Sequence, residues 1–141
     1  MALVQTLTTS FKQQLFLGVH DLETDVIKIA LYTGLATLDA DTTVYTDSYE
    51  VSDSGTGYTT TGQVLTGVTV SSNANGVIYV DFADSEWNPA AFTCRGALIY
   101  NSSKGNKSIA VLDFGADKTC SNTFTVQMPA NTATSALIRL T

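Results

Sequence analysis

His20 is the only histidine of the 141-residue chain, and Asp21 follows it. A histidine beside a carboxylate supplies a base and its orienting acid, provided the fold brings a serine or cysteine to them. No G-x-S-x-G elbow nominates such a serine. A surface histidine beside a capping aspartate is the plainer account. Oxygen-rich clusters are a second possibility: Asp39 with Asp41, or Asp81 with Asp84 and Glu86, could chelate calcium. Neither has EF-hand spacing, and the second falls on an expected turn, where acids are common. Cys94 and Cys120 are the only thiols, and two cysteines without further Cys or paired His do not make a zinc site. A disulfide between them stays open. However, Met1–Ser10 lacks the basic start and apolar run of a secretory signal, which favours reduced, packed thiols.

Asp53-Ser54-Gly55-Thr56 resembles the active-site tetrapeptide of aspartic proteases, in which two such aspartates share a proton. There the aspartate follows an apolar strand. Here it follows Tyr49-Glu50-Val51-Ser52, no second copy exists, and turn chemistry explains Asp-Ser-Gly. Asn101-Ser102-Ser103 and Asn106-Lys107-Ser108 match the glycosylation sequon but read as loop residues without an export signal. A net charge of −6 and a pI near 4.4 disfavour nucleic-acid binding, and Lys104 with Lys107 is the nearest approach to a basic patch. No stretch approaches the ~20 apolar residues of a membrane span. The chain is therefore expected to be non-catalytic, with no cofactor, no metal, no nucleic acid and no membrane partner.

The elements that would position any site are short strands. Charged residues make up 14% of the chain against a usual ~25%, and 22 Thr with 12 Ser fill the gap. Thr is β-branched and polar, so it suits strand positions facing solvent or a wet interface. Ser10–Gly18 is the one credible helix, with Thr9 or Ser10 as cap, Phe11 and Leu15 on one face, and Gly18 as the stop. Strands are expected over Asp25–Tyr32, Gln63–Val70, Val77–Phe82, Phe92–Tyr100, Ser108–Phe114, Thr119–Gln127 and Ala136–Leu140. Turns are expected at Ser71–Gly76 and Asp84–Pro89, with Trp87 a core or rim anchor. Residues 33–57 lose periodicity, as loops that are functional or ordered by a partner do. The expected fold is all-β: a single domain over residues 1–141, an antiparallel β-sandwich or jelly roll of about seven or eight strands with a short N-terminal helix.

The best-defined piece is the hairpin Phe92–Gly115. Pairing Arg95 with Asp113 sets Ala97 opposite Val111 and Ile99 opposite Ile109 on one face. The other face then carries Cys94 with Phe114, Gly96 with Leu112 and Leu98 with Ala110. Both faces are apolar, whereas a half-exposed hairpin alternates. Either the chain covers both sides or another subunit covers one. Ile99, Ile109 and Val111 are accordingly the candidate subunit contact, with Tyr45 and Tyr49 as aromatic anchors from the long loop.

The blocks FKQQLFLGVH, DVIKIALYTGLATLDADTTVY, TCRGALIYNSSKGNKSIAVLDFGADKT and FTVQMPANTATSALIRL resemble small structural proteins of tailed bacteriophages, over nearly the whole chain. The resemblance implies a β-sandwich or jelly-roll component of the virion, assembled in the host cytoplasm. It would be a capsid cement or decoration protein, or a collar- or tail-associated one. The partners implied are copies of itself, a trimer among the options, and virion proteins such as the major capsid protein. A rival reading is a receptor- or carbohydrate-binding module using Tyr45, Tyr49, Trp87 and Asp84.

Overall fold

A computed structural model describes residues 3–141. The fold is an all-β, sandwich-like arrangement with one short helix near its start. In chain order the elements are β1 (Thr6–Leu7), α1 (Thr9–Phe16), β2 (Ile27–Tyr32), β3 (Gln63–Val64), β4 (Thr69–Ser72) and β5 (Ile78–Asp81). Then follow β6 (Ser85–Trp87), β7 (Phe92–Asn101), β8 (Lys107–Cys120), β9 (Phe124–Val126) and β10 (Ile138–Leu140). The ten strands form three antiparallel sheets in the orders β1-β8-β7-β2-β3, β10-β5-β4 and β6-β9. The count exceeds the expected seven or eight for three reasons: the two-residue β1 is too short to show a period, Gln63–Val70 contributes two separate strands, and Ser85–Trp87 pairs with β9 instead of turning.

The five-stranded sheet is covered on both faces by the chain itself. Ile27, Ile29 and Leu31 of β2 point into the larger core, with Phe11 of α1, Val80 of β5, Trp87 of β6 and Ile138 of β10. Ala30 and Tyr32 point the other way, into a second cluster with Leu3, Leu38, Leu98, Tyr100 and Val111. A strand buried on both faces reads apolar at nearly every position, which is the pattern of β2 and β7. The cover on the second face is the aperiodic stretch after β2. Ala36 and Leu38 are buried there, and bridges run Leu3–Leu38, Tyr32–Glu50 and Val44–Lys107. The backbone polar groups of that stretch are tied down too, with Ser108 N–H donating to Thr43 O and Val51 N–H to Leu31 O.

The helix is anchored at its start. Thr8, fully buried, accepts from Phe11 N–H, while Ser108 Oγ donates to Thr42 O at 2.6 Å and lies 3.0 Å from Thr8 Oγ1. An N-cap of this kind contributes about 1 kcal/mol. Gly62 marks another close approach. It has φ +80°, and a Cβ there would overlap the carbonyl of Ile29, so only glycine lets β3 reach β2.

The hairpin register differs from the charge-matched one. Next to the loop the pairs are Asn101–Lys107 and Tyr100–Ser108, but Ile109 then bulges. Beyond it the pairs run Ile99–Ala110, Leu98–Val111, Ala97–Leu112 and Gly96–Asp113. A second irregularity at Arg95 carries the pairing on to Cys94–Lys118 and Phe92–Cys120. Each bulge inserts residues into one strand and moves the alternation by a step. Arg95 still reaches Asp113 diagonally, Nε to Oδ1 at 3.9 Å, and donates to Gly115 O at 3.2 Å. Both side chains are partly exposed, so the ion pair contributes at most about 1 kcal/mol and does not lock the register.

Burial also corrects the proposed subunit contact. Ile99, Ile109 and Val111 are each fully buried within the single chain, the first two in the larger core and Val111 in the second. Both hairpin faces are claimed internally, because α1 and the two smaller sheets cover one, and Ala36, Leu38 and Tyr45 of the stretch after β2 cover the other with Leu3.

Candidate functional site

Several of the acidic residues singled out in the sequence are held in structural roles, whereas Asp81 Oδ1 is buried without a hydrogen-bond partner. Asp53 is exposed just before the bend at residues 54–57 and accepts from Thr60 Oγ1 at 2.9 Å. Asp39 accepts from Asp41 N–H, closing a local turn. Asp84 accepts from Met128 N–H at 2.7 Å. Among the described residues no three acids, histidines or cysteines gather at metal-binding distance. Cys94 and Cys120 are both free thiols, and burial raises Cys94 to a pKa of about 12, so it is not a thiolate at neutral pH. Asn101 is fully buried, which removes its sequon from use in the folded protein.

His20 belongs to a buried-end network. Asn101 Oδ1 accepts from Ser103 N–H, which turns the Asn101 amide nitrogen toward Asp25 Oδ2 at 2.7 Å and His20 Nδ1 at 3.0 Å. His20 Nε2 lies 2.8 Å from Gln14 Oε1, so Nε2 carries the proton and Nδ1 accepts. Lys104 completes the network with a 3.1 Å ion pair to Asp25. Burial lowers the pKa of His20 from 6.5, Asp25 opposes that, and Lys107 and Lys104 assist it. Burial would raise Asp25, but the Asn101 amide, Asp21 N–H and Lys104 outweigh it and hold the carboxyl below 3.8. A histidine depressed on folding contributes stability that is complete above pH 6.5 and is lost as pH falls through its folded value. Urea midpoints are thus expected to fall as the buffer is acidified below pH 6.5, with Asp25 adding its loss only below 3.8. His20→Gln, with one acidic step remaining, is expected to flatten the upper step; an unchanged profile would show that His20 is not its source.

The aromatic anchors divide. Tyr45 is half-buried and stacks on Tyr100 with centroids 4.8 Å apart, while Tyr49 stands 55% exposed. Trp87 is inside the core beside Tyr58 and Phe124. Tyr45, Tyr49, Trp87 and Asp84 therefore do not form one open face for a sugar.

Two concave regions stand out from smaller ones. One, of about 690 Å³, lies between the turn after β2 and the Arg95 bulge, lined by Gly34, Leu35, Thr93, Arg95 and Asp117. Its guanidinium is already engaged by Gly115 and Asp113. The other, of about 590 Å³, is an apolar groove. Leu15, Gly18 and Leu22 form its helix-side wall, and Val70, Ile78 and Leu140 of the three-stranded sheet form the opposite wall. Asp21 and Glu23 stand at its rim. Immediately beside it, Phe16 is 93% exposed and Leu17 69% exposed. Single exposed apolar residues are ordinary, but a contiguous apolar patch rimmed by charge marks a contact surface. The signal was present in the sequence: Phe16 lies five residues after Phe11, about 140° around the helix, so both cannot face one core.

No family model, curated protein or solved structure matches this chain.

Proposed function

We propose that the chain is a non-catalytic structural component of a bacteriophage virion, in the first place a capsid cement or decoration protein. The observation that carries this reading is the exposed Phe16–Leu17 pair beside an apolar groove. Both faces of the five-stranded sheet are covered by the chain itself, whereas this groove, between α1 and the three-stranded sheet, stays open to a partner. The low charge and the abundance of Thr suit a protein that sits among neighbours without repelling them. The sequence resemblance to small phage structural proteins points the same way. A protein of this kind acts by mass action: it binds assembled capsid subunits and not separated ones, and so stabilises the shell by RT ln(1 + [L]/Kd). Its partners are copies of itself and the major capsid protein, and its location is the virion.

Mass spectrometry of purified particles of the phage encoding this chain is expected to find it in many copies. Particles lacking it are expected to open at lower temperature, with the purified chain restoring the loss. Its absence from purified particles would overturn the reading.

A further inference from the structure

We infer that the groove between α1 and the three-stranded sheet receives Phe16 of a second copy of this chain, so that the helix face is a self-association interface. This deepens the assembly role proposed above and rests on it in treating the exposed face as a contact. The projecting residue and the recess lie side by side, because Leu15 and Gly18, on either side of Phe16–Leu17, belong to the groove wall. Phe16 itself is turned outward and cannot fill the groove of its own chain. A surface carrying both a projection and its recess is self-complementary, which is the requirement of a two-fold interface.

Charge selects the same occupant. Lys12 is exposed one turn before Phe16, on the same helix face, and makes no ion pair among the described residues. Glu23 is exposed at the groove rim. When Phe16 of one copy enters the groove of the other, Lys12 travels with it toward that acidic rim, and the relation is reciprocal. The net charge of −6 opposes pairing only weakly, since charges more than about 8–10 Å apart are screened at physiological salt. Size sets the strength. Groove wall, rim and projection together involve fewer than the ~20–30 residues a side of a standard interface, so the dimer is weak and concentration-dependent rather than permanent.

Sedimentation of the purified full chain across a concentration series tests this. The wild type is expected to pass from monomer to dimer as concentration rises. Phe16→Ser, at an exposed position that leaves the fold intact by circular dichroism, is expected to weaken association more than about tenfold, because the residue is used twice. Lys12→Glu is expected to weaken it as well, and Lys12→Glu combined with Glu23→Lys to restore part of the loss. A wild type that stays monomeric at every concentration, or a Phe16→Ser variant that associates unchanged, overturns the inference. If that monomer still binds phage particles, the self-contact falls and the structural role stands. If the chain dimerises through Phe16 but is absent from particles, the self-contact stands and the virion role falls.

Discussion

Val111→Lys is expected to unfold the protein rather than to separate subunits from one another. Val111 is fully buried opposite Leu98, in a cluster made with Leu3, Leu38, Tyr32 and Tyr100. A lysine there replaces an apolar side chain worth about 1.5–3 kcal/mol on burial. It must also either bury an ammonium or give up its proton. Buried lysines have pKa values about 3–5 units below normal, and giving up the proton at neutral pH costs about 4–5 kcal/mol. Against a typical total stability of ~5–15 kcal/mol, that leaves little or no folded protein. The expected readout is loss of near-ultraviolet circular dichroism and of a cooperative melt. A well-folded monomer with assembly abolished would instead assign Val111 to a subunit contact, as the apolar periodicity of the hairpin alone allows. Val111→Ala is the milder control and is expected to remain folded, with a lower melting temperature.

What separates those two outcomes is a feature that a strand pattern cannot carry. The alternation in β2, β7 and β8 shows two apolar faces, and that much is legible. What covers the second face is a stretch without period. Ala36, Leu38 and Tyr45 reach the sheet from an irregular backbone held by isolated bridges, so no repeat betrays them. The register failed for a related reason. Ile109, and residues 114–117 opposite Arg95, look like ordinary strand residues, and a bulge adds residues without changing composition. Charge matching therefore found the Arg95–Asp113 contact but mistook a diagonal neighbour for a direct one. Helix α1 was legible in extent, in its buried Phe11 and in Gly18 just past its end, since spacing is local, but its N-cap is Thr8 and not Thr9 or Ser10, because Thr8 is the residue that accepts from Phe11 N–H. The candidate interface was half legible: helical geometry turns Phe16 outward, but the recess beside it is built from β4, β5 and β10. Those strands are distant in sequence and meet the helix only in the folded chain.

The largest loss from a single polar change is expected at Glu50. In the sequence it is an acid in a polar loop, which reads as solvated. In the fold its carboxylate gathers three donors: Tyr45 Oη and Tyr58 Oη at 2.6 Å each, and Thr61 N–H at 2.9 Å. Tyr58 in turn accepts from Leu31 N–H of β2, and Tyr45 stacks on Tyr100, whose hydroxyl donates to Thr61 O. One carboxylate thus fastens the lid of the second core to the sheet. Hydrogen bonds to a charged group are worth about 1.5–3 kcal/mol each, and those sharing one acceptor group are not additive, so Glu50→Ala is expected to cost about 3–4 kcal/mol. Glu50→Gln keeps the shape and one oxygen, and is expected to cost less than half of that. Equal costs for the two variants would mean that packing, not the carboxylate, holds the lid. The phenols provide a second readout. Burial raises Tyr58 and Tyr45 well above 10.0, donation to Glu50 raises them further, and burial brings Tyr100 to about 12. A tyrosine raised on folding contributes stability that is complete below pH 10.0 and is lost as pH rises toward its folded value. The wild type is therefore expected to lose stability above pH 10.0, with tyrosinate absorbance appearing together with unfolding. In Glu50→Ala that coincident transition moves to lower pH, because the lid opens first; an unmoved transition would place the buried phenols beyond the reach of Glu50.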